Sequence, residues 1–202
     1  MESLDTLLTR AEAAHGHLCA GQILGVRLAL YALHLLEIVD PRGADRKRLV
    51  TFVEIDRCAT DAIALVTGCR VGKRTLKLRD WGKMAATLVD LHSGRAVRIV
   101  ALESSRELAR ERYPHLETKS AQQMAAYREL ADPEMFRAEW VRVPLPAAEM
   151  PGYRAERLIC PSCGEGINFG RFEEIAGERL CLSCARPERR YWLPGCDGDD
   201  DQ

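Results

Sequence analysis

The sequence predicts an α+β fold: a mixed or antiparallel sheet packed on a long buried helix, followed by a small four-cysteine zinc module. Three observations carry this. The segment "AGQILGVRLALYALHLLEIV" is apolar on nearly every face, as a helix enclosed by several neighbours is. Helical patterns come first and a run of short β-branched segments follows, which favours α+β over a doubly wound parallel sheet. Near the end, "CPSC" and "CLSC" stand seventeen residues apart.

The elements follow in order. Leu4, Leu7, Leu8 and Ala11 recur at helical spacing, so residues 3–14 read as a short amphipathic helix. The long buried helix is expected from Gln22 to Val39, and "DPRGADRK" then breaks the pattern. Within it, Gly21 and Gly25 of "GQILG" read as close helix packing, and His34 as a hydrogen-bonded core histidine. "RLVTFVEI" reads as a strand, and "CATDAIALVTG" as a short helix stopped by Gly68. "TLKLRD", "MAATLVDL" and "AVRIVAL" lie at short spacing around Trp81-Gly82 and Ser93-Gly94, the pattern of an antiparallel meander. Residues 104–113 and 118–131 read as charged surface helices. "EWVRVPLP" reads as a further strand, which Pro144 and Pro146 confine to an edge or an end. The expected domains are a core over 1–150, the cysteine module over 151–192, and a disordered acidic tail over 193–202 in which Cys196 is a free thiol.

With 202 residues and 47% hydrophobic composition, the chain can bury a core without disulfide staples. The net charge of −1 provides no overall field for steering nucleic acid or an anionic membrane. The start, "MESLDTLLTRAEAAHGH", lacks a basic segment followed by an apolar one, and the run from Ile23 to Val39 is too short and too often interrupted to span a bilayer. A cytoplasmic location is expected. There, eight cysteines point to metal or redox chemistry rather than to structural disulfides.

Cys160, Cys163, Cys181 and Cys184 form C-x2-C-x17-C-x2-C, the spacing of a tetrahedral zinc site. Four thiolates close the coordination shell, so this zinc is expected to be structural, supplying much of the folding free energy of so short a segment. Seven arginines between 154 and 190 are offset by six glutamates, which speaks against a phosphate-tracking surface.

A second constellation lies upstream. His15, His17 and Cys19 alternate just before the long helix, and Cys58 opens the short one. Unpaired N–H groups at helix starts favour a thiolate, so both cysteines suit a shared metal or a reactive thiol. Asp61, one turn after Cys58, can add a carboxylate or orient a histidine. "TGCRVGKRT" is no P-loop: Gly68 and Gly72 are too close, and Arg74 follows Lys73 where Ser or Thr is required. Arg70, Lys73, Arg74, Lys77 and Lys83 form either a solvated basic face or an anion pocket, with Lys73 and Arg74 as the contacts.

"HGHLCAGQILGVRLAL", "CATDAIALVTGCRVGKRTLKLRDWGKMAATLVD" and the terminal "CPSC…CLSC" together resemble the FmdE family of formylmethanofuran dehydrogenase proteins. The resemblance implies a small α+β protein with a C-terminal treble-clef or zinc-ribbon module, an intertwined homodimer, and a His/Cys-lined cavity able to hold a metal. His15, His17, Cys19, Cys58 and Asp61 match its site motif. Cys69, Gly72 and Lys73 match its "GC-x-x-GK" loop, and Asp80, Gly82 and Lys83 its "D-x-GK" turn. Ala20 stands where the family usually has proline, and Arg74 and Thr75 where it has Gly-Asn.

Three functional readings result. In one, a metal, with zinc expected, or a thiol acts chemically in the cavity, with Cys19, Cys58 and His17 as catalytic groups and Lys73 fixing an anionic substrate. In another, the cavity handles or senses a metal or metal-oxyanion beside a molybdenum or tungsten oxidoreductase. In the third, the protein is a regulatory module whose only metal is the structural zinc.

Overall fold

The computed structural model describes residues 2–193, so the acidic tail from 194 onward and Cys196 lie outside the described residues. The chain divides into two compact units, 1–145 and 146–202, a little before the 150/151 boundary read from the sequence.

The first unit opens with α1 (Leu4–His15). Ser3 caps it by accepting a hydrogen bond from the Thr6 N–H, and Gly16 ends it in a left-handed conformation at φ 92°. Leu7, Leu8 and Ala11 are its buried stripe. The chain then enters α2 (Ala20–Leu35), where Cys19 is the N-cap. Helix α2 stops earlier than the apolar pattern suggests, because Glu37 takes a positive φ of 57° and turns the chain away. Its interior is buried against α1, α3 (Cys58–Thr67) and α5 (Lys119–Glu129); α4 (Ser104–Arg112) packs on α5, and the short α6 (Asp132–Met135) follows it. Arg27, which interrupts the apolar run, has a specific use. Its guanidinium donates to the carbonyls of Tyr127 at 2.9 Å and Leu130 at 2.8 Å, and to Asp132 at 2.7 Å, closing the C-terminal end of α5. His34 is exposed, not a core histidine. It lies on the outward side near the end of α2, a position that the helix's high overall hydrophobicity concealed.

Gly25 sets the spacing of α2 on α3. A methyl group there would stand 2.8 Å from the Ala59 Cα and 2.9 Å from the Ala62 Cβ, closer than carbon atoms approach. The G-x-x-x-G reading as close helix packing therefore has a definite partner in α3.

The sheet has five strands in the order β2-β1-β3-β4-β5: β1 (Leu49–Val53), β2 (Leu76–Leu78), β3 (Ala85–Asp90), β4 (Ala96–Ala101) and β5 (Phe136–Val141). Strands β1 and β2 are parallel and the other pairs antiparallel, so the sheet is mixed and the fold α+β. The expected three-strand meander needs correction. Strand β2 does not pair with β3. Helix α3 carries the chain back, so that β2 runs alongside β1 at the sheet's edge. Residues 79–84 then cross the end of β1, with the Trp81 and Lys83 N–H groups bonding the Glu54 carbonyl at 3.0 and 3.1 Å. Trp81-Gly82 thus belongs to a crossing segment and not to a hairpin.

The inner face of the sheet packs on the helices through Leu49, Val53, Ala86, Leu88, Val97 and Ile99. A smaller cluster, including Val50, Val89 and Ala96, lies on the other face. Strand β3 is consequently buried throughout. Asp90 ends it; burial raises its carboxyl, but hydrogen bonds from Arg48 and Ser93 outweigh that and hold it well below the usual carboxylate range.

The second unit holds two small hairpins, β6 (Leu158–Ile159) with β7 (Gly166–Ile167) and β8 (Phe172–Ile175) with β9 (Glu178–Cys181), then the short α7 (Leu182–Ala185). Ala176 and Gly177 turn the second hairpin at φ 51° and 86°, the left-handed pair that a two-residue turn requires. Among the described residues of this unit, only Cys160 and Ile167 are buried.

Candidate metal centres

In the second unit, one ligand sulfur from each of Cys160, Cys163, Cys181 and Cys184 lies within 4.8 Å of the others. Two turns bring them there. After Cys160 the chain folds back, with the Gly164 N–H on the Cys160 carbonyl at 2.9 Å and Gly164 at φ 72°. Cys181 ends β9 and is the N-cap of α7, which contains Cys184. Hydrogen bonds converge on the sulfurs: the Cys181 N–H reaches the Cys160 Sγ at 3.4 Å, and Arg190 reaches the Cys184 Sγ at 3.9 Å. The Cys181 N–H brings the Cys160 thiol down to about 6. For Cys163, the Glu165 N–H favours the thiolate, but partial desolvation and the neighbouring sulfurs push the thiol up to about 12. Four sulfurs so close cannot all be anionic without a cation among them. The cluster can hold a metal ion, and its closed S4 donor set leaves no position for substrate.

In the first unit, His15 is the last residue of α1, the left-handed Gly16 reverses the chain, and Cys19 caps α2. One ligand atom from each of His15, His17 and Cys19 lies within 4.8 Å of the others, and the two imidazole centroids are 5.1 Å apart. Cys58 begins α3 and adjoins this group through Cys19. Burial, then a hydrogen bond with Cys19, raises its thiol above the ordinary value. Gly21 adjoins both: a methyl there would stand at ordinary contact distance, 3.5 Å from the Cys58 Cβ and 3.8 Å from the Cys19 Sγ. Asp61 turns to His15, with its Oδ2 3.4 Å from the imidazole Nδ1, and its side chain is 70% exposed.

One polar residue of this region escapes a reading by motif. Gln22 is 1% exposed; its Nε2 donates to the Ala11 carbonyl at 3.3 Å, and its Oε1 has no partner among the described residues. It borders a cavity of about 60 Å³, next to His15 and Asp61, large enough for water. The signal available in the sequence is a glutamine three residues after Cys19 in an otherwise apolar run.

Beyond Cys58 opens a cleft of about 440 Å³. His15, Cys58 and Asp61, with Asp56, Arg57 and Thr60, give its polar lining, and Val53, Val71, Leu76 and Leu78 form the apolar part. Lys73 and Arg74 are not in its lining, although their neighbour Val71 is. Cys69 lies away from both centres, buried under the sheet with the Thr51 hydroxyl 3.3 Å from its sulfur.

No helix among the described residues is long and apolar enough to cross a membrane. The sequence model of FmdE, described as molybdenum formylmethanofuran dehydrogenase operon, matches residues 14–142, which include the core donors and stop short of the four-cysteine cluster. A probable S-adenosyl-L-methionine-binding protein of Archaeoglobus fulgidus is 30% identical over 201 residues, covering 90% of this chain and 53% of that protein. The chain thus spans about half the length of that curated relative. A solved structure, an FmdE-like protein of the tungsten formylmethanofuran dehydrogenase type from Syntrophus aciditrophicus, superposes with a TM-score of 0.65 at 24% identity, covering 94% of this chain and 95% of that one. At that identity, the likeness speaks for the fold.

Proposed function

The chain belongs to the FmdE family, and on that premise we propose that it is a metal-binding protein with two distinct centres. Zinc closes the four-cysteine module. A second metal, also zinc, occupies the core site, held by His15, His17 and Cys19 with Cys58 alongside, and Asp61 orients His15. The convergence of three nitrogen and sulfur donors at the α1–α2 junction carries this reading. Mixed imidazole and thiolate donors suit zinc better than a hard, oxygen-seeking cation.

A metal bound there would supply a Lewis acid able to polarise a substrate or activate water. The chain's own groups have separate parts. Asp61 faces the His15 imidazole, Cys58 offers a further thiol at the rim of the cleft, and His17 is an exposed imidazole ligand. Work in the cytoplasm as a homodimer, in or beside a molybdenum or tungsten oxidoreductase, is the family-level part of the proposal. The family's description supports the oxidoreductase setting, and the cytoplasm and the homodimer rest on the reading of the sequence. S-adenosyl-L-methionine binding stays with the longer relative, because half of that protein has no counterpart here.

Metal analysis of the purified full chain tests the proposal. We expect about two metal ions per chain in the wild type, and about one in Cys19→Ala and Cys58→Ala. A single ion per chain, unchanged by either substitution, would remove the core centre.

A further inference from the structure

We propose that the cleft beside Cys58 binds a small aliphatic thiol. Its sulfur lies toward His15 and Cys58, and its hydrocarbon lies on Val53, Leu76 and Leu78. The inference rests on the core metal reading for the choice of head group, and on the sheet geometry for the rest.

The floor comes from the sheet's edge. In the parallel register of β1 and β2, Thr51 stands beside Leu76 and Val53 beside Leu78, so all four share the inner face. Over most of the sheet that face is sealed by helices. At the β2 edge it is not: Leu78 is 47% exposed, and Val71, which faces the same cleft, is 71% exposed. Apolar side chains gathered in a concave surface beside ligating groups mark a binding site rather than scattered surface hydrophobics. A volume of about 440 Å³ is that of a small-molecule pocket.

The lining also selects the ligand's chemistry. Thr60 spends its hydroxyl on the Ile55 carbonyl at 2.5 Å, and Asp61 is engaged with His15. Asp56 and Arg57 both line the cleft, one charge of each sign. The basic Lys73 and Arg74 lie outside the lining, and the one arginine within it, Arg57, is outnumbered by Asp56 and Asp61, so the lining does not favour an anionic body. The polar end is instead defined by imidazole and thiol groups, a soft environment that matches a sulfur donor. The apolar part presents Val71, Leu76 and Leu78, with Val53 1% exposed behind them, and matches an unbranched hydrocarbon.

The test uses the full chain loaded with cobalt(II), whose visible spectrum reports ligation. The core signal is isolated as the difference from Cys19→Ala loaded in the same way. Ethanethiol, butanethiol and hexanethiol are titrated in turn. The methyl resonances of Val53, Leu76 and Leu78 are followed in parallel on cobalt-loaded and metal-free chain. We expect the core spectrum to respond to each thiol, with affinity rising about fourfold per methylene as each is taken out of water. In Leu78→Ser that increment should shrink toward nothing. A spectral response with no dependence on chain length overturns the cleft and leaves the metal centre standing. Absence of any core cobalt signal overturns the metal centre. The cleft is then judged on the methyl shifts alone, which must appear with hexanethiol and not with ethanethiol; their absence overturns it too.

Discussion

The two candidate centres are built in opposite ways. The module's four sulfurs come from two short turns, and almost nothing is buried behind them: Cys160 and Ile167 are the only described residues of that unit shielded from water. The core donors sit on helix ends already held by a large apolar cluster running from Leu7 through Ile99 to Phe136. In the module, the ion must do what a core does elsewhere. In the first unit, the core places the candidate donors together by itself, and on the proposed reading an ion would only fill a site already formed. A metal that organises its fold and a fold that organises its metal should fail differently, and that contrast can be tested.

The largest effect is expected at the module. Structural zinc sites draw about 10–16 kcal/mol from ion binding, far more than burial of two side chains can supply. Cys163→Ser should release the module's ion and leave residues 146–193 open to proteolysis. Unit 1, with its own core, should keep its melting transition. Limited proteolysis read by mass spectrometry, beside calorimetry, separates the two. A module that stays resistant without its ion would mean that its hairpins are self-sufficient and the contrast is wrong.

The same contrast explains what could be read from the sequence. The module's ligand set was fully legible because C-x2-C pairs act locally: each pair needs only its own turn to present two sulfurs. Half of the core centre was legible for the same reason, since His15, His17 and Cys19 lie on one short stretch. Cys58 could be joined to them only loosely, by its place at another helix start and by the family resemblance, because nothing local states that α3 packs on α2 at Gly25. The β2 strand fails for that reason also. "TLKLRD" shows a strand, but pairing with β1 and not β3 is decided by the path of α3, which no pattern within the strand encodes. Gln22 is the converse case, where one buried polar side chain carries no motif and gains meaning only from the cavity beside His15. Lys73 and Arg74 show the limit of charge clustering: they are close in sequence to the cleft and absent from its walls.

An intermediate effect should follow from the helix contact beneath the core centre. Gly25→Ala drives a methyl into the Ala59 backbone and the Ala62 side chain, and backbone cannot yield as a flexible side chain can. Overpacking of this kind costs about 1–3 kcal/mol, and it parts the two helices whose N-termini carry Cys19 and Cys58. We expect a lower melting temperature together with weaker metal retention at the core site, while the module's ion is unaffected. Gly21→Ala, where the nearest atom would stand at an ordinary 3.5 Å, is the control and should change either property far less. Equal losses in the two variants would show that glycine's backbone freedom, and not the interhelical fit, is what matters.

The smallest effect is assigned to Asp61, and it separates a ligand from a support. Were Asp61 a direct ligand, its removal should empty the core centre as Cys19→Ala does. Its carboxylate instead reaches the Nδ1 of His15, and most of its side chain is in water. A group of that kind fixes a tautomer and a ring angle, and its loss typically weakens metal affinity by about 10–100-fold without abolishing binding. Because the side chain is so exposed, we expect Asp61→Asn near the lower figure, about tenfold, in a competition titration against a zinc chelator. Asparagine keeps the size and one acceptor oxygen but not the charge that favours an Nδ1–H. The NMR signature of His15 should therefore shift toward a mixture of tautomers in the metal-free variant. A tenfold loss without that shift would place the effect of Asp61 in the dipole at the start of α3, where a carboxylate in the first turn favours the helix on its own account.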